Sequence, residues 1–127
     1  MKRIVDPLEF EDLVFDTFER YGCPTKRSPY FCGGYEEISG SVRIHCEWHA
    51  IRCKCFEPDE TPVVDSCMLM RTARLFQFGH EKGLLIHTGR LDPQASRQAV
   101  PHIVVLSADR LPFWIENRQP PPIHFLP

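Results

Sequence analysis

GSVRIHCEWHAIRCKCF, residues 40–56, is the stretch on which the reading of the whole chain turns. Apolar or small residues alternate with polar ones on both sides of Glu47-Trp48-His49, the pattern of two short strands folded back on each other. A period of two puts Arg43, His45 and Glu47 on one face of the first strand, with Val42, Ile44 and Cys46 on the other. On the second strand Arg52 and Lys54 share a face, and Ile51, Cys53 and Cys55 share the opposite one. Pairing as a hairpin then gathers Arg43, His45, Arg52 and Lys54 into a single polar patch.

Upstream, Asp6-Pro7-Leu8-Glu9 has the layout of a helix start, with Asp as cap and Pro at the first helical position. Leu8, Phe10, Leu13, Val14, Phe15 and Phe18 follow at helical spacing and Gly22 stops the run, predicting a helix over 7–20. Residues 23–37 carry prolines and glycines and read as a loop or a ragged first strand. Downstream, Thr61-Pro62 repeats the cap-then-proline signature and predicts a second helix running through Phe76. The run 83–88 and the run 102–106 are short and continuously apolar, the pattern of buried strands. Asp92-Pro93 opens a short helix to about Ala99, and Ser107 or Asp109 caps a last turn carrying Leu111, Phe113, Trp114 and Ile115. The order α-β-β-α-β-α-β-α implies an α/β fold, a central mixed sheet of four or five strands flanked by helices.

The 127 residues suffice for one domain, expected over 1–118, with a proline-rich tail over 119–127. A net charge of −2 excludes a globally basic nucleic-acid binder, so any such site must be a local patch. No apolar run is long enough to cross a membrane and no signal-peptide core opens the chain, so a cytoplasmic protein is expected. Without a secretory segment the six cysteines read as reduced. His45, Cys46, His49, Cys53 and Cys55 crowd together, but their strand phases diverge and no Cys-x2-Cys pair is present, which favours core thiols over zinc. The same phase argument excludes Cys53 as a nucleophile, because a buried thiol stays protonated.

Four words in this order carry a family resemblance: DPLEFEDLV at 6–14, IRCK at 51–54, GLLIHTGRLDPQA at 83–95 and HIVVLSADRL at 102–111. Together they resemble the Mrr-like restriction endonuclease branch of the PD-(D/E)XK nucleases. The resemblance implies a restriction endonuclease-like core. It also implies a site in which a helix Glu, a strand Asp and a Glu or Gln two before a Lys hold magnesium at a DNA phosphate. By this mapping Glu11 is the helix carboxylate and Lys54 the lysine.

The other two positions depart from the pattern. Arg52 stands two before Lys54, and Gly40-Ser41-Val42 leads into Arg43 rather than an aspartate. A guanidinium stays charged and cannot ligate a cation, whereas it suits an anion. The resemblance therefore implies a catalytically degenerate nuclease-like domain without a cofactor, a DNA-binding or scaffolding subunit in DNA restriction, defence or repair. Arg43, His45, Arg52 and Lys54 would be its anion-binding residues. A protein partner or second copy would engage the tail. Two other readings stand beside it. One is a working endonuclease dependent on Mg2+ or Mn2+, with Glu36 or Glu37 replacing the aspartate, Glu11 and Glu37 as metal ligands and Glu47 as a further carboxylate. The other is a protein–protein scaffold in which Glu11, Glu36, Glu37 or Glu47 neutralises the arginines in an internal network.

Overall fold

Asp6 starts the first helix: its carboxylate accepts the backbone N–H of Leu8 at 3.0 Å, and Pro7 needs no such partner. The computed structural model describes residues 6–27, 38–78, 82–96 and 103–118. Helix α1 spans Pro7–Arg20, as its spacing predicts, and ends where Gly22 takes a positive φ of 81°. Strand β1, Thr25–Arg27, realises the ragged first strand. It is followed by β2, Gly40–Ile44, and β3, Glu47–Lys54.

The hairpin turn is tighter than expected. Ile44 pairs with Glu47, so the chain reverses at His45-Cys46 and Glu47-Trp48-His49 belongs to β3. Both turn residues have positive φ, 54° and 67°, as a two-residue hairpin turn matched to the strand twist requires. Asn and Gly usually fill those positions, and their absence hid the turn in the sequence.

The second helix also begins later than expected. After Thr61-Pro62 the chain forms a short strand β4, Val63–Val64, whose β-branched residues pair in parallel with β6, Arg90–Leu91. Helix α2 spans Ser66–Phe78. The cap is Asp65, whose carboxylate accepts the N–H of Met68 at 2.9 Å. Strand β5 is Gly83–His87 and helix α3 is described over Pro93–Ser96, with Asp92 accepting the N–H of Gln94 at 3.3 Å. Strand β7 is Ile103–Ser107; a 3-10 turn, Ala108–Arg110, then leads into α4, Leu111–Arg118. This helix is the closing element of the order the sequence implies. Residues 119–127, Glu36, Glu37 and Cys32 lie outside the described residues.

The main sheet has five strands in the order β1-β2-β3-β5-β7, antiparallel from β1 to β3 and parallel from β3 to β7. This is the mixed sheet the element order implies. Each face carries its own core. On one, Phe10, Val14, Phe15 and Phe18 of α1 and Leu111 and Ile115 of α4 pack on Val42, Ile44, Ile51, Leu84 and Ile86. On the other, Leu69 of α2 and Ala95 of α3 pack with Phe56, Val64 and Leu85, against Ile103 and Val105. Each large side chain so buried contributes about 1.5–3 kcal/mol. Both faces of β5 are covered, which is why all five of its residues are buried and its sequence runs apolar without alternation.

Candidate functional site

The register fixes which side chains meet. Arg43 lies opposite Trp48, at the turn end of the hairpin. Arg52 is four residues further along β3, about 13 Å at strand rise. The two arginines share a sheet face but not a site. His45 sits exposed in the turn and belongs to neither strand. The single patch of Arg43, His45, Arg52 and Lys54 expected from the alternation is therefore not brought together. The one-residue shift of the turn removes His45 from the strand, and strand length separates the rest.

Arg52 is buried, at 5% exposure, and its guanidinium donates to the hydroxyl of Thr72 on α2. Thr72 is itself fully buried and its hydroxyl donates to the carbonyl of Met68 at 2.9 Å. The position two before the lysine thus carries a cation locked between sheet and helix. Lys54 lies on the same face: its ammonium stands 5.0 Å over the ring of Phe56, in the α2-side core. It also reaches the carboxylate of Glu60 at 3.5 Å across the turn that follows β3. That pair is partly exposed, so solvent screens it.

Glu11 approaches from the other side of the sheet. Cys53, which packs into the α1-side core, feels the Glu11 carboxylate. Burial above all, with a smaller push from Glu11, drives its thiol up to about 12, so Cys53 is an inert core cysteine. Glu11 and Lys54 flank β3 from opposite faces.

Three parallel strands end side by side next to Lys54. Lys54 pairs with His87 of β5, and His87 with Ser107 of β7. Carboxyl ends of parallel strands are the usual place for a ligand in open α/β sheets. His87 is 2% exposed, and its Nδ1 accepts the N–H of Gly89 at 3.2 Å, so Nε2 carries the proton of the neutral ring. Burial holds His87 below the usual imidazole range, partly opposed by Gly89 and by Asp109. Asp109 is held below the usual carboxylate range, first by a hydrogen bond from the Ser107 side chain. Sequence reading missed His87, Ser107 and Asp109 because strand ends of different segments meet only through the sheet order.

Magnesium is the ion that the family pattern implies, and the described residues do not fit it. Among them no three His, Cys, Asp or Glu side chains converge on one point. A cation about 4 Å from the Arg52 guanidinium would be repelled by about 4 kcal/mol per unit charge at an effective dielectric near 20. Nor do the described cysteines and histidines form a set that could hold zinc.

The family model for restriction endonucleases, Mrr_cat, matches residues 3–115, nearly the whole of the fold just described. The chain belongs to the Mrr restriction endonuclease family. No curated protein and no solved structure gives a match. Its mixed sheet with flanking helices is consistent with the restriction endonuclease-like fold, and no helix among the described residues is long and apolar enough to cross a membrane. The residue-by-residue mapping expects the family's lysine at Lys54, and the residue two before it is the buried Arg52.

Proposed function

We propose that this domain binds DNA without cutting it, as a DNA-binding or scaffolding subunit of a larger cytoplasmic assembly in DNA restriction, defence or repair. The observation that carries the reading is Arg52, buried on the Lys54 face and donating to Thr72. A metal ligand must offer a lone pair, and a guanidinium offers none. Swapping a carboxylate for this cation replaces attraction for magnesium by repulsion at the centre of the family's motif. A non-cutting domain of this kind needs no metal cofactor. DNA remains the natural ligand of a restriction endonuclease fold, and a protein partner or second copy would complete the assembly through the tail at 119–127.

The test is a fluorescence-anisotropy titration of a labelled duplex with the full chain, in magnesium, at several salt concentrations. Expected is binding that weakens steeply as salt rises, because phosphate contacts release counterions, with the duplex recovered intact. Absence of binding at low salt, or recovery of cut strands, overturns the reading.

A further inference from the structure

The antiparallel end of the sheet carries a second surface, distant from the Lys54 edge. Strand pairing aligns Lys26 with Ser41, Ser41 with Ala50 and Arg43 with Trp48, so these five residues share one face. The opposite face of the same strands is already filled, since Val42, Ile44 and Ile51 pack against α1. Trp48 is 40% exposed, and Lys26 and Arg43 are exposed beside it. The Lys26 ammonium stands 4.6 Å from the centroid of the indole. Among the described residues of β1, β2 and β3, this face carries no carboxylate. Glu47, the nearest acid in the hairpin, pairs with Ile44 on the other face and reaches Lys82 at 3.7 Å.

A partly exposed indole beside two cations on a strand surface matches one class of ligand in its chemistry. The indole offers a π face on which any unpaired base can stack, and the flanking cations meet the phosphates on either side of that base. Bases inside a duplex are already stacked on their neighbours and cannot use the ring. We propose that Lys26, Arg43 and Trp48 form a binding site for a single strand of nucleotides. The inference rests on the nucleic-acid-binding reading above and adds the surface and the strand form.

The hairpin also presents the ring rigidly. Trp48 follows a two-residue turn and lies within the first ladder pairs of β2 and β3, and the Arg43 N–H is held by the Pro24 carbonyl at 2.9 Å. Lys26 stands over the ring. Its long side chain lies along the ring now and can swing to a phosphate without moving the backbone.

The experiment titrates the full chain with oligo(dT), oligo(U) of the same length and a blunt duplex, following anisotropy and tryptophan emission. The chain has two tryptophans, and Trp114 lies on α4 against the other face of the sheet, so quenching reports Trp48. Expected is quenching on single-strand binding. Trp48→Ala should weaken that binding about fivefold to 150-fold, the range that base stacking covers, whereas Trp48→Phe should retain most of it. Lys26→Ala with Arg43→Ala should flatten the salt dependence by about 1.4 in log–log slope, from two phosphate contacts. The tighter of the two single strands identifies DNA or RNA as the source. Duplex binding with no single-strand binding overturns this inference and leaves the DNA-binding reading intact. Single-strand binding that is unchanged in Trp48→Ala does the same, provided the variant's circular dichroism melt matches the parent. Binding of neither form overturns both.

Discussion

The two halves of the sheet are built on opposite terms. In the parallel half, β3, β5 and β7 lie between two cores, and β5 is buried from Gly83 to His87. In the antiparallel half, β1, β2 and the first part of β3 bury one face against α1, and on the other, beyond the buried Ala50, Lys26, Arg43 and Trp48 are exposed to water. The parallel half is covered on both faces and carries Arg52 and Lys54. The antiparallel half is a surface.

If the parallel half is the scaffold, its core substitutions should be the most damaging in the molecule. Leu85→Ala removes a fully buried side chain from the middle strand, and urea unfolding should show a loss of about 2–5 kcal/mol. The matching change in the antiparallel half, Trp48→Ala, should cost less, about 1 kcal/mol or below, since the indole is 40% exposed and belongs to neither core. Equal losses at the two positions would erase the distinction.

Gly83→Ala should come next. A methyl group there would run into the ring of Phe76, and overpacking of this sort costs about 1–3 kcal/mol. The hairpin turn offers the opposite sign. His45 and Cys46 both hold positive φ without being Asn or Gly, so His45→Asn with Cys46→Gly should stabilise the fold by about 1–2 kcal/mol in a thermal or urea melt.

The buried His87 gives a pH signature confined to the parallel half. Its pKa in the fold lies below the unfolded value, so the unfolded state takes up more protons as pH falls through the usual imidazole range. Its contribution is therefore favourable above that range and lost as pH drops. Urea midpoints should fall between about pH 7.5 and about pH 5.5, and the slope should flatten in His87→Asn. A slope unchanged by that substitution would place the titration elsewhere.

The contrast between the halves also explains what could be read from the sequence. The parallel strands were legible because burial on both faces leaves an uninterrupted apolar run, and α1 because Asp6, Pro7 and Gly22 punctuate it. The later start of α2 was hidden by Thr61-Pro62, which imitates a cap, while Asp65 does the capping. The hairpin's strands were legible but its turn was not, since nothing in His45-Cys46 announces left-handed backbone. That slip placed Trp48 in a turn rather than on a strand face and concealed its alignment with Arg43 and Lys26. The separation of Arg43 from Arg52 required register, and the meeting of Lys54, His87 and Ser107 required sheet order. Alternation supplies neither.

Arg52 puts a cation where the family mapping expects a metal ligand, so the proposed domain should hold DNA without cutting it. Incubation of supercoiled plasmid with the full chain in manganese or magnesium tests this most directly. The plasmid should remain supercoiled, with Lys54→Ala indistinguishable from the parent. Nicking that requires the metal and disappears in Lys54→Ala would contradict the account.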